Sequence, residues 1–272
     1  MTIALTATAT QAPIATAGPG RAGFRQAFAA EWTKLMTLRS TKWILAITAV
    51  GTLLVTFLST HSVAHKPPGW YQGFDPTNQS LAGLSIGALA LGVLGVLTIS
   101  GEYGTGTIRS SLSAVGRRET LLMAKLAVVA AVTLVLGEVL SFGAFFFGQA
   151  ILSSGGAPTA HLGQPGVLRA LVLTGAFLSL FALLGFGLGL VIRHSAGALA
   201  TFAGVALLAP ILLQTVAGHP DRYTPAIIFA NSVAAVVPQH NQLSATIGFV
   251  LMVLYTTGVL IAGAVLLIKR DA

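Results

Sequence analysis

The chain has 272 residues, of which 54% are hydrophobic and only 8% are charged. A soluble domain carries about 25% charged residues, so this chain lacks the polar side chains needed to cover a surface in water, and lipid is its expected solvent. The net charge is +8, but the basic residues are spread between apolar runs and form no nucleic-acid-binding motif, so we expect them to set topology and contact lipid headgroups rather than bind nucleic acid. The absence of cysteine excludes disulfides, thiolate catalysis and cysteine metal sites.

Two segments precede the first long apolar run. Residues 1–20, rich in Ala and Thr, lack the basic start and compact apolar run of a signal peptide and are predicted to form a disordered tail. Residues 21–40 repeat apolar side chains at near-helical spacing, which predicts an amphipathic helix in the cytoplasmic interface of the membrane. This helix either anchors the chain at the membrane surface or acts as an elbow that transmits motion into the bundle. Its defining residues are Phe24, Phe28, Trp32, Lys34 and Leu35.

Six apolar stretches approach or exceed the length of about 20 residues that a helix needs to cross the hydrocarbon core. They predict an all-α integral membrane protein whose six transmembrane helices occupy residues 41–272. The first stretch is close to the lower length limit, the third is long enough to tilt or project from the membrane, and Pro210 is expected to kink the fifth. The predicted spans are residues 43–60, 81–101, 121–152, 167–192, 195–218 and 243–268.

Two glycine pairs within the spans have the small-xxx-small spacing that lets helix backbones approach each other closely. They are Gly83 with Gly87 in the second span and Gly185 with Gly189 in the fourth. Glycine is also tolerated in lipid without a packing role, so the spacing predicts close helix contacts at these positions but does not identify the partner helices.

The basic residues predict the orientation of the chain in the membrane. Of the fifteen Lys and Arg residues, only Lys66, Arg169 and Arg222 fall on the side opposite to the N-terminus. Because cytoplasmic loops carry an excess of Lys and Arg, the N-terminus is predicted to be cytoplasmic, and an even number of spans brings the C-terminus to the same side. Arg193 and His194 lie between the fourth and fifth spans, with only a few small residues beside them, which indicates a tight cytoplasmic hairpin.

Two patterns around the first and second spans invite a chemical interpretation. His61 and His65 are four positions apart, but a zinc site needs a third or fourth ligand, and Asp75 is the nearest acid. Ser85 lies in a Gly-x-Ser-x-Gly sequence, but a nucleophile elbow needs a strand-to-helix turn rather than an apolar helix. We therefore expect no metal site and no catalytic residue here.

Residues 102–119 are predicted to leave the membrane after the second span and form a short cytoplasmic helix. Gly104 and Gly106 are expected to end the span, and Thr105 or Thr107 is expected to cap the new helix. Three apolar residues then recur at positions i, i+4 and i+7 and form one face, which needs either the membrane surface or a protein groove to cover it. These residues are Ile108, Leu112 and Val115.

Glu138 is the acid in the middle of a predicted span. Ionisable residues at that depth usually face the bundle interior or a cavity. Glu138 is therefore predicted either to line a substrate path, carry a proton or stabilise a dimer interface, or to have a structural role as a protonated group or one hydrogen-bonded to Ser141.

The segment Ala226–Val237 is apolar, but with about twelve residues it is too short to cross the membrane. Because Pro225 and Pro238 bracket it, we predict a re-entrant or interfacial hairpin on the outer side, with Asn231 marking its turn.

Two tracts resemble the permease subunits of ABC-2-type ATP-binding cassette exporters of the actinobacterial type. One is Glu31-Trp32-Thr33-Lys34-Leu35 followed by Leu38-Arg39-Ser40, and the other is the tract from Glu102 to Arg109, EYGTGTIR. The resemblance extends from about residue 22 to the end of the chain. It implies a half-transporter that pairs with a second copy or a similar chain and binds a separate ATPase, with residues 102–119 as the coupling helix in a groove of that ATPase. The implied coupling residues are Glu102, Tyr103, Gly104, Thr105, Gly106, Thr107, Ile108, Arg109, Leu112 and Val115.

The sequence thus predicts a permease of the bacterial cytoplasmic membrane that exports an amphipathic or hydrophobic substrate. The chain has no Walker A sequence, so ATP and Mg²⁺ are expected on the partner chain and no cofactor on this one. The alternatives are a secondary transporter or channel that uses Glu138 as a proton or ion site, and a membrane-embedded enzyme or sensor.

Overall fold

The computed structural model describes residues 23–115, 117–216, 218–235 and 243–270, and these residues form helices joined by short loops. The predicted tail of residues 1–20 lies outside the described residues. Two of these loops contain a 3₁₀ turn, Pro68–Tyr71 and Pro220–Tyr223. The helices are α1 (Phe24–Thr37), α2 (Arg39–Ala64), α3 (Pro76–Leu81), α4 (Leu84–Thr105), α5 (Thr107–Val115), α6 (Arg118–Ser154), α7 (Val167–Ile192), α8 (Ser195–Ala203), α9 (Ala209–Leu213), α10 (Pro225–Val233) and α11 (Ala245–Arg270).

The prediction of six membrane-spanning helices is confirmed. The described residues contain six helical segments long and apolar enough to cross a membrane, so the chain has the architecture of a multi-pass membrane protein. The first spanning helix, α2, is longer than the predicted span of residues 43–60. It continues through polar residues at both ends and has 26 residues in total. The six segments are Arg39–Ala64, Pro76–Thr105, Arg118–Ser154, Val167–Ile192, Ser195–Leu213 and Ala245–Lys269.

The fifth span is interrupted where the proline predicts. A π-helical turn, Gly204–Leu208, separates α8 from α9, and Pro210 follows it at the start of α9. Proline has no backbone N–H to donate to the carbonyl of residue 206, so the α-helical hydrogen-bond pattern cannot continue through this point.

Helices α4, α6 and α7 form the centre of the bundle. The most enclosed of the spans is α7: 67% of its most apolar 18-residue stretch is buried, compared with 22% for α2 and α11. Glycines allow α4 and α7 to approach each other. A methyl group added at Gly185 would lie 2.2 Å from the Gly92 carbonyl oxygen, and one at Gly95 would lie 1.8 Å from the Ala182 carbonyl oxygen. The close contact predicted at Gly185 is thus confirmed, with α4 as the partner helix.

The loops predicted to lie in the cytoplasm meet at one end of the bundle, which we call the charged end. Arg193 ends α7 with a left-handed conformation, stacks 5.2 Å from the Tyr103 ring and donates a hydrogen bond to the Leu266 carbonyl at 2.9 Å. The side chain of His194 caps α8 by accepting from the Gly197 amide at 3.4 Å. These contacts confirm the tight turn between α7 and α8.

Asp75 organises the opposite end of the bundle. Its carboxylate caps α3 by accepting from the amides of Thr77 and Asn78 at 2.9 and 3.1 Å, and it also accepts from the Ala235 amide at 2.8 Å. The residues after α10 are therefore held against the start of the second span. This contact brings the loops at this end of the bundle together.

Helix α10 is packed into the bundle at this end, where Phe229 contacts the rings of Phe177 and Phe181 on α7, each at 5.9 Å between centroids. The predicted turn at Asn231 is wrong, because α10 continues through that residue to Val233. Helix propagation past Asn231 is favoured by the burial of the helix face that carries Phe229 and Val233. The remaining part of the predicted hairpin, residues 236–242, lies outside the described residues.

Candidate functional site

Four charged side chains from three helices meet at the charged end and form what we call the ion-pair network. Lys125 of α6 donates to the Glu31 carboxylate of α1 at 2.7 Å and also pairs with Glu102 of α4. Lys34 of α1 pairs with the same oxygen of Glu102, Oε1. The Lys125 side chain is 1% exposed, so this lysine lies inside the protein rather than at a headgroup surface.

Local structure explains how these residues come together. Glu31 and Lys34 are three positions apart on α1 and therefore lie on neighbouring parts of one helix face. A single extended residue, Leu38, separates α1 from α2, so α1 folds back across the bundle and packs against α6. Glu102 lies in the last turn of α4, where it meets Lys125 near the start of α6.

The network contains two acids and two lysines, so its formal charge is zero. Burying charges costs several kcal/mol per ion, and good pairing offsets this cost only while every partner remains in place. Separating α1 from α6 would leave the buried Glu31 without its only cation, and separating α4 from α6 would leave Glu102 with Lys34 alone. The network therefore ties α1, α4 and α6 to one another at the charged end.

A cavity of about 380 Å³ lies beside the network. Its polar end is formed by all four network residues, and its walls are formed mainly by aliphatic side chains of α1, α2, α4 and α6. The volume falls within the range of small-molecule sites. A second cavity of about 210 Å³ lies between α4, α7 and α10. Ser85 and Phe229 are among its lining residues.

The loop after the second span forms a helix, α5, as predicted, but its described apolar side chains, Ile108 and Val115, are covered by the chain itself. Ile108 is 7% exposed and Val115 is 8% exposed, Val115 packing with Ala27 of α1 and Leu121 of α6. The side chains of Arg109 and Leu112 lie outside the described part. Ile108 thus packs into the main core of the bundle and Val115 packs against α1 and α6, so within the single chain neither side chain offers an apolar face to a partner.

Among the described side chains of α5, the exposed ones are the short hydroxyl side chains of Thr107, Ser110 and Ser113. Gly106, with φ of 71°, ends α4, whereas Gly104 is helical, so only one of the two predicted stop residues acts as one. The Thr105 hydroxyl is used within the turn, where it lies 2.9 Å from that of Thr107.

Two further predicted coupling residues have internal partners. Glu102 is buried in the ion-pair network, and Tyr103 lies beneath the Arg193 guanidinium. Both side chains hold the charged end together, so a partner protein would contact their neighbours rather than the groups themselves.

The aromatic residues of α1 form a row along the helix. The rings of Phe24 and Phe28, and those of Phe28 and Trp32, are 6.2 Å apart. Phe24 and Trp32 remain 47% and 42% exposed, so the aromatic row lies at the side of α1. The face that packs on the bundle is formed by Ala27, Glu31 and Leu35. Of the predicted interface residues, the structure thus places Leu35 inward and Lys34 in the ion-pair network.

Glu138 lies on α6 over a glycine of α7, where a methyl group added at Gly175 would lie 2.5 Å from its carboxyl carbon. Its neighbours along the helix, Val135 and Val139, are 64% and 63% exposed, so the carboxyl lies at the side of the single bundle. The predicted hydrogen bond to Ser141 is wrong, because that hydroxyl donates to the Leu171 carbonyl at 2.8 Å.

The remaining candidate residues from the sequence, two histidines, Asp75 and Ser85, make contacts within the fold. His61 and His65 contact each other edge to face at 5.7 Å between ring centroids, and Asp75 is used to cap α3. Ser85 lies in a helix and donates to the Ala82 carbonyl at 2.8 Å. Among the described residues no group of three or more potential metal-ligating side chains comes together.

Sequence reasoning missed the pairing of Lys125 with Glu31 and Glu102. It used Lys125 only to orient the chain, although a lysine within an apolar run of a span needs a buried counter-charge. That need could have been recognised from the sequence, but the sequence does not show which acids meet it.

The chain matches no known protein-family model and no curated protein.

Proposed function

We propose that the chain is the permease subunit of an ABC-2-type exporter in the bacterial cytoplasmic membrane, with both termini in the cytoplasm. It pairs with a second copy or a similar chain, and a separate ATPase subunit binds and hydrolyses ATP. The substrate is an amphipathic or hydrophobic molecule. The six spans and the resemblance of residues 31–40 and 102–109 to such permeases support this proposal.

The ion-pair network is the observation on which the proposal chiefly rests. An ATPase can drive transport only if its closure displaces rigid elements of the permease. The network joins α1, α4 and α6 beside α5, so a displacement of α5 or α1 would be passed to the second and third spans. A helix between two spans that is tied to both is suited to this role.

The exposed surface of α5 indicates how the ATPase would be contacted. Ser110 and Ser113 are exposed, and Ile108 and Val115 hold the helix against the rest of the chain. A partner groove that receives α5 would therefore contact these hydroxyl groups and supply hydrogen-bonding groups to match them. The aromatic row of α1 would lie in the membrane interface, where aromatic side chains are favoured.

Cross-linking tests the assignment of α5. Because the chain has no cysteine, Ser113→Cys introduces a single thiol that can carry a photoreactive maleimide. Co-expressed with an ABC ATPase from the same organism, the variant is expected to form a covalent adduct with that ATPase on illumination. The adduct is measured by mass spectrometry of the purified complex.

Ser62→Cys is the matched control, because Ser62 is also exposed but lies near the end of α2, at the opposite end of the bundle. It is expected to give no adduct and to react with a membrane-impermeant maleimide added to intact cells, whereas Ser113→Cys does not. Equal adducts from the two positions, or failure of any ATPase to co-purify, would contradict the proposal.

The alternative function is a secondary transporter or channel that uses Glu138. Glu138 is thirteen residues after Lys125, which is about 20 Å along α6, and it lies at the side of the bundle, so we expect no role in proton movement. Vesicles that contain the chain alone and a pH-sensitive dye should show the same proton flux as empty vesicles, both for the natural sequence and for Glu138→Gln. Flux that Glu138→Gln abolishes would instead support the alternative.

A further inference from the structure

We propose that the π-helical turn of the fifth span is a hinge, and that the segment beyond it, α9, swings about this hinge to open the cavity between α4, α7 and α10. The turn comprises Gly204–Leu208 and joins α8, which starts at the charged end, to α9. This device goes beyond the proposed function, since it lies within a single chain and requires no ATPase.

The backbone hydrogen-bond pattern changes at the turn. The Ala209 amide donates to the Gly204 carbonyl, five positions back instead of the usual four. Pro210 has no N–H, so it can donate neither to the Ala206 carbonyl in an α-helical pattern nor to the Val205 carbonyl in a π-helical one. Fewer backbone hydrogen bonds therefore join α8 to α9 than join successive turns of a regular helix, and the span bends most easily here.

The part of the span before the hinge is fixed to the bundle. Phe202 of α8 is 2% exposed, and its ring packs so closely on α4 that a methyl group added at Gly92 would lie 1.9 Å from it. The same ring contacts that of Phe181 on α7 edge to face, at 6.4 Å between centroids. Ala198, one turn earlier, is fully buried. Movement of α8 would therefore disturb both α4 and α7.

The part of the span beyond the hinge is not fixed in this way. Ile211 and Leu212 of α9 are 62% and 66% exposed, and Leu208 at the end of the turn is 59% exposed. Within the described part of the chain, the main contacts of α9 are with its neighbours along the sequence, the π-helical turn and the 3₁₀ turn Pro220–Tyr223. Few apolar contacts oppose its movement, which is the property of segments that open locally.

The hinge borders the cavity of about 210 Å³. Ala206 and Leu207 of the turn line this cavity together with Ser85 and Ala88 of α4. Ser85 is exposed, whereas Ala88 is 2% exposed and lies in the interior. Because two of the lining residues belong to the hinge, a swing of α9 changes the width of the cavity and the access to Ala88.

Pulsed electron paramagnetic resonance tests the hinge. The chain has no cysteine, so a pair of introduced cysteines carries the only spin labels. One pair joins Val139 of α6 to Ile211 of α9, and the matched control joins Val139 to Thr201 of α8; all three side chains are exposed. The labelled chain is diluted in nanodiscs with an excess of unlabelled natural chain, which removes distances between copies. The distribution of distances to Ile211 is expected to be about twice as wide as that to Thr201.

Pro210→Ala restores the missing N–H and is expected to narrow the distribution for Ile211 to the width found for Thr201. Equal widths for the two pairs in the natural chain would overturn the hinge, and this comparison does not depend on whether Pro210→Ala folds. A width that Pro210→Ala leaves unchanged would overturn the role of the missing hydrogen bond.

Thiol labelling of the purified protein in nanodiscs tests the opening of the cavity. Ala88→Cys is expected to react with a membrane-impermeant maleimide, and to react about tenfold more slowly when Pro210→Ala is added, because the reagent enters only when the hinge opens. Ser85→Cys is the matched control, since it is exposed on the same helix, and its rate is expected to be the same with and without Pro210→Ala. An Ala88→Cys variant that does not react, or that Pro210→Ala does not slow, would overturn the opening of the cavity.

Discussion

Replacing Lys125 with methionine is expected to destabilise the protein by about 3–5 kcal/mol, the cost of removing one partner from a buried ion pair. Methionine fills a similar volume, so the loss comes from charge rather than from a cavity. The change leaves Glu31 without its cation and Glu102 with Lys34 alone. Thermal unfolding of the purified protein in nanodiscs, followed by loss of monodisperse material, measures the effect as a lower Tm.

Two further variants identify charge balance as the cause. Adding Glu31→Gln to Lys125→Met restores a network of one acid and one base, so the double variant is expected to be more stable than Lys125→Met alone. Lys42→Met changes an exposed lysine of α2 and is expected to shift stability by no more than about 0.5 kcal/mol. A double variant less stable than the single one would contradict charge balance as the cause, because it would show that Glu31 stabilises the fold without Lys125.

Replacing Gly95 with valine is expected to have the second large effect, because it forces α4 away from α7. Even the first added carbon would lie 1.8 Å from the Ala182 carbonyl oxygen, which belongs to the backbone and cannot move aside by a change of rotamer. Overpacking of a core usually costs about 1–3 kcal/mol, and we expect the upper part of this range or more because the obstacle is a helix backbone. Tm and the yield of monodisperse protein measure the loss.

Gly101→Val provides the control on the same helix, since the space around Gly101 is open and the helix gains the same propensity. Its stability is expected to equal or slightly exceed that of the natural chain. Adding Ala182→Gly to Gly95→Val should give no rescue, because the clash is with the backbone carbonyl rather than with the methyl group. Rescue by Ala182→Gly would mean that the helices cross in a different arrangement.

The two predictions both concern the contacts that fix α4, the second span, to its neighbouring helices. The contact at Gly95 sets the distance between the second and fourth spans, and the ion-pair network fixes the second and third spans to α1. If α5 receives the motion of an ATPase, both contacts must hold for that motion to reach the membrane. A variant that folds but lacks the network would be expected to bind the ATPase without transmitting its closure.

The sequence by itself determined the features that depend on the local chain and on the thickness of a bilayer. The positions of six spans follow from runs of apolar residues, since a helix in lipid satisfies its own backbone hydrogen bonds. The interruption before Pro210, the turn at Arg193 and the separate helix after Gly106 follow from properties of single residues. None of these features requires knowledge of which helices are neighbours.

Only the tertiary structure decided which side chains meet. Lys125 pairs with acids 94 and 23 positions away, and this pairing depends on how each helix is rotated about its axis. The same rotations turn Ile108 inward and place Glu138 at the side of the bundle. Hydropathy does not set them, because lipid accepts any apolar face equally; they are set by close packing between helices, as at Gly95, and by the need of a buried charge for its partner.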